Sequence, residues 1–367
     1  MRWRAGVGLA VRATCGAAAL RSIARAARRL PPVTAVTAVT AVTAVDAGPI
    51  SVVVPARDEV RRIGPVLAAM VGAPGVGDVI VVDDESTDDT AAVARGAGAT
   101  VVPGRPLPAG WVGKAWALQQ GLEAATGEWV VLLDADTRPA PSLPAALVAR
   151  ATADGLDVLS VTGRFECPTG PLRWLHPALL TTLVYRSAPP GATDPGPVHR
   201  RMGNGQCMAV RRGTLVEAGG FRPVGHHTVE DVALVRTMAT AGFAVGFLDA
   251  SELLTVRMYE TAAEAWRGWG RSLSLPGVDP TVRRVAGLAV VAVTQAAPLL
   301  RLVAGRADAL DLVLLAARVG TLAGTAPSYR PRGAAYWLSP TADVAALAAL
   351  ARGTFTRRQT WRGRTYP

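Results

Sequence analysis

Three short apolar runs, each stopping abruptly at charged residues, constrain this chain more than anything else in it. Ile50-Ser51-Val52-Val53-Val54 stops at Pro55 and leads into Ala56-Arg57-Asp58-Glu59, and Val79-Ile80-Val81-Val82 stops at Asp83-Asp84. Trp129-Val130-Val131-Leu132-Leu133 stops at Asp134-Ala135-Asp136. Unbroken apolar runs of this length, bounded by turn formers, read as strands buried on both faces. Helical patterns lie between them: one through Val71, one ending near Gly96 and Gly98, one over 115–125. Val101-Val102 and Val158 to Val161 are further short strand candidates. Strands alternating with helices predict an α/β chain with a Rossmann-like, mostly parallel sheet flanked by helices. Such sheets bind ligands at the carboxyl ends of their strands. Residues two apart in a strand point the same way, so Asp134 and Asp136 are expected to project together from the central strand. Paired carboxylates there suit a hard divalent cation, although Asp is equally a turn residue.

Charge is concentrated at the two ends. Residues 1–45 carry seven arginines and no acid, and 352–367 carry five arginines and no acid. Those twelve exceed the net charge of +11 by one, which leaves the body from 46 to 351 at −1. Basic tails on a chain that is 50% apolar fit an anionic membrane surface. No nucleic-acid-binding motif and no aromatic interleaving accompany the arginines, so no nucleic-acid partner is expected. Three cysteines at no metal-like spacing read as free thiols. The four histidines form no ligand cluster, His226-His227 being neighbours on a loop.

Four charged clusters sit where a parallel sheet would gather them: the stretch after Pro55, Asp83-Asp84, Asp134/Asp136, and Glu230-Asp231 at the start of a helix over 229–241. Several carboxylates in one crevice repel unless a metal or a proton intervenes. Lys114 is the single lysine among 39 basic residues, which hints that a compact ammonium is needed there. Gly113-Lys114 is no nucleotide-hydrolase phosphate loop, because Pro108 and Ala115 occupy its flanking key positions. Ser86…Asp89 and Thr228…Asp231 both have capping-box spacing, so Asp231 reads either as a cap or as a catalyst.

Val-Pro-Ala-Arg-Asp-Glu, Val-Asp-Asp-Glu-Ser-Thr-Asp-Asp-Thr, Gly-Lys-Ala-Trp-Ala-Leu, Asp-Ala-Asp and Val-Glu-Asp occur in that order. Together they resemble the family 2 inverting glycosyltransferases of the GT-A fold, over roughly residues 49–270. The trailing apolar segments and the closing Thr360-Trp361-Arg362-Gly363-Arg364-Thr365-Tyr366 look more narrowly like the membrane-associated glycosyltransferases of carotenoid and hopanoid pathways. The resemblance implies that Pro55, Ala56, Arg57 and Glu59 line a nucleoside pocket with Asp84 on the uracil edge. It implies Lys114 near the nucleotide, Asp134 on the ribose side, Asp136 holding Mg2+ or Mn2+ against the diphosphate, and Asp231 as general base, with Glu230 next in line. Gly203-Asn204-Gly205-Gln206, through Asn204 and Gln206, offers amides on the acceptor side, and Trp266 and Trp269 stand in the same acceptor region. Asp58 replaces the family's usual Asn. The Gln-x-x-Arg-Trp motif of processive synthases is missing, and Trp266-Arg267-Gly268-Trp269-Gly270-Arg271 occupies that region.

These readings divide the chain into a weak N-terminal anchor, basic segment and Val-Thr-Ala tether (1–48), a glycosyltransferase domain (49–275), and a membrane-associated helical region with a basic tail (276–367). Apolar stretches at 285–304, 308–327 and 334–351 are each flawed as membrane spans, by Gln295 and Pro298, by Asp311 and Arg318, and by Pro340 and Asp343. Either they cross a bilayer packed together or they lie partly in the interface, a soluble helical cap being the third reading; two crossings plus one interfacial helix are expected. Arg21, Arg25, Arg28 and Arg29 after the first apolar stretch place the catalytic domain on the cytoplasmic side of the cell membrane. The expected reaction is metal-dependent, inverting transfer of one hexose from a nucleotide sugar, UDP-linked, to a lipid-like acceptor such as a carotenoid or hopanoid. The alternatives are a sugar-nucleotide nucleotidyltransferase and an inactive membrane scaffold.

Overall fold

The structure, a computed structural model, describes residues 2–25, 28–35, 48–356, 359–361 and 364–366. The Val-Thr-Ala repeat beyond Ala35 and the tail residues Arg357, Arg358 and Arg362 lie outside the described residues. The chain divides into two compact units: Leu30–Phe165, Arg201–Met258 and Thr360–Pro367 form an α/β unit, and Met1–Arg29, Glu166–Arg200 and Tyr259–Gln359 form a helical one.

In the α/β unit the strands are β1 (Ile50–Ala56), β2 (Val76–Asp83), β3 (Thr100–Pro103), β4 (Trp129–Leu133), β5 (Thr137–Pro139), β6 (Val158–Thr162), β7 (Arg164–Glu166), β8 (Cys207–Arg211), β9 (Val245–Asp249) and β10 (Leu254–Val256). Seven of them make one sheet in the order β3-β2-β1-β4-β8-β6-β9. Every residue of β1 and β4 is buried, as a run with no polar alternation requires. The parallel register sets Pro55 beside Val82 and Ala56 beside Asp83, so the first two charged clusters leave the sheet at the same edge. Parallel pairing of Val53 with Leu132 brings the end of β4 alongside. The helix Gly113–Ala124 covers β1 and β2 closely enough that a Cβ on Gly121 would stand 2.2 Å from Val53 Cγ1. The sheet is mixed, because β8 runs antiparallel to both β4 and β6. A small second layer pairs β10 with β5 and β7.

The Asp-x-Asp geometry departs from expectation. Strand β4 ends at Leu133, and Asp134 to Thr137 form a tight turn in which the Thr137 N–H donates to Asp134 O at 3.2 Å. The turn chemistry of Asp, not strand alternation, sets these carboxylates. Neither expected capping box forms: the helices Thr90–Gly96 and Glu230–Thr240 have Asp89 and Val229 at their N-caps, with no side-chain cap bond.

In the helical unit, two helices among the described residues are long and apolar enough to cross a membrane, Thr281–Val303 and Ala309–Ser328. The first contains a π-helical turn at Ala292–Ala296. A wider turn relieves the clash that Pro298 would otherwise make with the carbonyl four residues earlier. The 334–351 stretch is broken instead into Gly333–Trp337, a 3-10 turn at Ser339–Ala342 and Asp343–Phe355. The polar flaws in these segments pair with one another. Buried Arg318 grips buried Asp343, with Nη2 to Oδ1 at 2.9 Å and Nε to Oδ2 at 2.9 Å, and Gln295 Nε2 donates to the same Oδ1 at 2.8 Å. Asp311 accepts from Arg12 at 2.7 Å and from Arg301 at 2.7 Å, and Asp308 takes the other side of Arg12 at 2.7 Å. Breaking a buried pair leaves a charge uncompensated. Arg318→Ala is therefore expected to cost about 3–5 kcal/mol of stability, most of it recovered by Arg318→Met with Asp343→Leu. Thermal unfolding of the full chain in detergent checks this; an unchanged melting temperature for Arg318→Ala would refute it. Cys15, Cys167 and Cys207 are free thiols, as read from sequence.

Candidate functional site

The carboxyl ends of β1 and β2 build one wall. Asp84 N–H donates to Ala56 O at 2.8 Å, and Arg57 Nη1 donates to Asp84 O at 2.6 Å, locking the two strand ends together. Asp58 lies in the left-handed region at φ +53°, where Asn and Asp are the tolerated side chains. Its Oδ1 accepts from the Thr87 N–H at 2.7 Å, an acceptor role open equally to the side-chain oxygen of Asn. Glu59 N–H donates to Thr90 Oγ1 at 2.8 Å, and Arg62 reaches Glu59 Oε2 at 3.3 Å. Asp84 is only 2% exposed. Burial pushes its carboxyl up, against the opposing pull of Arg364 and Arg57.

Lys114, in the first turn of its helix, forms the centre. Its Nζ stands 2.8 Å from Asp134 Oδ1 and 2.9 Å from Glu230 Oε1. Burial alone would lower this ammonium, but Asp134, Glu230 and Asp231 together hold it well above its ordinary value. The single lysine thus gathers the third and fourth charged clusters. The loop 203–206 packs between them: Asp134 N–H donates to Gln206 O at 3.1 Å, and Gly205 N–H donates to Asp231 Oδ2 at 2.7 Å. A Cβ on Gly205 would stand 3.0 Å from Lys114 Nζ and 3.3 Å from Asp231 Cβ, so a side chain here would press on both groups. Asn204 and Gln206 bond each other, with Nδ2 donating to Oε1 at 2.9 Å, and Ser160 Oγ fixes the Asn204 N–H at 2.7 Å. Asp231 Oδ1 accepts from Val232 N–H at 2.8 Å. Burial and then Glu230 raise the Asp231 carboxyl to about 6, despite Lys114 and these two backbone donors.

Among the described carboxylates of this site, Asp136 carries an unsatisfied oxygen. Its Oδ1 is fully covered and has no hydrogen-bond partner. Burial raises its carboxyl to about 7, and Asp134 and Glu59 push in the same direction. Among the described residues no group of three or more His, Cys, Asp and Glu could hold a metal ion by itself. An orphaned carboxylate oxygen beside a second carboxylate fits a hard cation whose remaining ligands come from phosphate and water.

The structure therefore gathers Lys114, Asp134, Asn204, Gln206, Glu230 and Asp231 directly, and lines Pro55, Ala56, Arg57, Glu59 and Asp84 along the adjoining strand ends. Trp266 and Trp269 belong to the helical unit and are packed within it. Trp266 Nε1 donates to Ala345 O at 3.0 Å, and the Trp269 ring lies 4.0 Å from that of His176. Sequence reasoning missed Arg364, whose Nη1 donates to Asp84 Oδ2 at 2.6 Å. Its signal is the closing Trp-Arg-Gly-Arg-Thr-Tyr run, which carries the narrower family likeness but no hint of a contact with Asp84.

A mixed, mostly parallel sheet with carboxylates gathered at one edge defines the GT-A class of fold. Residues 51–214 match the glycosyl transferase family 2 model, and the chain carries a glycosyl transferase family 2 domain. The 4,4'-diaponeurosporenoate glycosyltransferase of Staphylococcus aureus (strain MRSA252) is 27% identical over 234 residues, 61% of this chain. The chain spans about three fifths of the length of that relative, 60% of it being matched. A mannosyltransferase from Pyrobaculum calidifontis, solved with GDP-Man and Mn2+, shares the fold over 95% of this chain and 98% of its own, at 20% identity and a TM-score of 0.58.

Proposed function

We propose that this chain transfers a single hexose from a nucleotide sugar, UDP-linked, to a lipid-like hydroxyl or carboxyl of the carotenoid or hopanoid class, with inversion at the anomeric carbon. The observation that carries the reading is the covered, partnerless Asp136 Oδ1 beside Asp134 and Glu59. A covered carboxylate oxygen without a partner is costly in a protein that binds nothing there. The S. aureus relative supports the lipid-like acceptor, and the two long apolar helices support a membrane location. The arginines after the first apolar stretch support a cytoplasmic face for the catalytic residues.

In this reading Asp136, with Asp134 at its side, would hold Mg2+ or Mn2+, which when bound supplies Lewis-acid stabilisation to the departing diphosphate. Pro55, Ala56, Arg57 and Glu59 hold the nucleoside, and Asp84 accepts an N–H from the base. Lys114 pairs with Asp134 and Glu230 and holds both carboxylates in place between their neighbours. Asp231 takes the acceptor proton as the acceptor oxygen bonds to the anomeric carbon and the bond from that carbon to the diphosphate oxygen breaks. A carboxyl with its value near 6 is ionised at neutral pH yet basic enough to receive that proton. Asn204 and Gln206 present amides on the acceptor side.

Thermal unfolding of the full chain with Mn2+ and UDP or GDP tests the donor assignment. Saturating UDP is expected to stabilise by about 2.7 kcal/mol at a hundred times its Kd. A shift with GDP alone would reassign the nucleotide, and a shift with neither would overturn the donor site. Incubating membranes with radiolabelled nucleotide sugar and extracted lipid then identifies the product; label appearing as pyrophosphate-dependent nucleotide exchange, with none in lipid, would overturn the transfer.

A further inference from the structure

The C-terminal segment brings a guanidinium onto the wall formed by the ends of β1 and β2. Arg364 lies in the short strand Arg364–Tyr366, which pairs with Gln359–Trp361. Its Nη1 donates to Asp84 Oδ2 at 2.6 Å, and its Nη2 takes Glu85 Oε2. The fork therefore spans two consecutive carboxylates, and a rigid guanidinium bonded at both tips fixes their orientation. Arg57 approaches the same pair from the end of β1, its Nη1 4.0 Å from Asp84 Oδ2 and 3.6 Å from Glu85 Oε2. Exposed pairs of this kind contribute little, but the Arg364 side chain is 17% exposed and that of Asp84 2%.

We infer that Arg364 is a positioning residue of the nucleotide pocket, holding Asp84 as an oriented, acceptor-only carboxylate that selects a base presenting an N–H edge. This rests on the donor-site reading above. An ionised carboxylate has no donor. It accepts the N3–H of uracil or the N1–H of guanine and meets only a lone pair at N3 of cytosine. Three charged groups face Asp84: Arg364 and Arg57 favour its ionised form, and Glu85 opposes it. Because burial is the largest influence and pushes the carboxyl up, losing Arg364 moves it further up. Protonated Asp84 then forfeits its base selectivity at a higher pH than in the unmodified chain.

The test is isothermal titration of UDP and of CDP into the full-length protein with Mn2+, from pH 5 to 8, for the unmodified chain, Arg364→Ala and Arg364→Lys. Arg364→Ala is expected to weaken UDP binding roughly ten- to hundredfold at neutral pH, the loss that follows removal of a hydrogen bond to a charged group. It is expected to narrow the preference for UDP over CDP and to shift the acid limit of UDP binding upward, with Arg364→Lys recovering part of each. Unaltered UDP affinity in Arg364→Ala, or an equal loss for UDP and CDP with an unmoved acid limit, would overturn the inference. Should Arg364→Ala fail to fold, Arg364→Lys carries the same comparison, since a point charge without the fork is expected to widen CDP acceptance. An unmodified chain that binds no nucleoside diphosphate would bring down the donor-site reading and this inference with it, and is told apart by needing no variant.

Discussion

Asp231→Asn is expected to lower turnover by about a hundredfold or more while leaving nucleotide binding unchanged and the melting temperature close to that of the unmodified chain. The substitution keeps the shape of the side chain and one acceptor for the two backbone N–H groups that Asp231 now receives, from Gly205 and Val232. One of those bonds is weakened, at a cost of about 1 kcal/mol. Removing a carboxyl held up at about 6 by burial offsets part of that cost. A residue acting as a cap would show the same small change in stability and no change in rate, so the rate decides. The pH profile gives a second readout. Only the ionised form accepts a proton, so turnover of the unmodified chain rises with pH through about 6 and levels off above it. Glu230, the other candidate, is 5% exposed and tied to Lys114 at 2.9 Å, which leaves its carboxylate engaged. Near-normal turnover in a folded Asp231→Asn variant would move the base to Glu230, and a rate flat from pH 5 to 8 would remove carboxylate base catalysis altogether.

The elements that were legible in the sequence are those whose signal is local. Strands β1, β2 and β4 announce themselves because burial on both faces demands unbroken apolar runs, and the helix Gly113–Ala124 is rich in good helix formers such as Ala, Leu, Gln and Glu. The reversal at β8 carries no such signal. Cys207-Met208-Ala209-Val210 is apolar like any central strand, and its direction is set by partners distant in sequence, Leu133 of β4 facing Cys207 and Ser160 of β6 facing Met208. The Asp134–Asp136 pair was named for the wrong local reason, since both residues sit beyond the strand in a turn. Capping-box spacing did not translate into caps: Ser86 Oγ accepts from the Asp58 N–H of a neighbouring loop at 3.1 Å, and the helix after Thr228 has Val229 at its N-cap. Gln295, Arg318 and Asp343 each looked like a defect in its own apolar stretch. Only the three-dimensional packing shows that they answer one another, because ion pairing between helices leaves no periodic trace. The contact of Arg364 with Asp84 leaves no local trace either, because the two lie 280 residues apart.

Asp136→Asn is expected to make the metal-free chain more stable and the enzyme inactive. In the folded chain the Asp136 carboxyl stands at about 7, against an ordinary value of 3.8, with burial the first cause and Asp134 and Glu59 the next. Between those two values the folded chain keeps a proton that the unfolded chain has released. Stability therefore falls as pH rises through this window, and the full penalty is present above pH 7. Asn fills the same space without a charge, so the metal-free variant should gain on the order of 2–4 kcal/mol above pH 7 and almost nothing near pH 4. Asp134→Asn is the contrast, because Asp134 compensates Lys114 at 2.8 Å and its loss should destabilise. Adding Mn2+ with UDP reverses the order. A cation held by Asp136 repays the penalty in the unmodified chain and finds no carboxylate in the variant, so only the former should gain a metal-dependent rise in melting temperature. Turnover should fall with that rise, by a hundredfold or more, since the leaving diphosphate loses its counter-charge. Calorimetry at pH 5 and pH 8, with and without Mn2+ and UDP, separates the two effects. A variant less stable than the unmodified chain at pH 8, or one that keeps both the Mn2+-dependent shift and its turnover, would show that Asp136 is neither a strained carboxylate nor a cation ligand.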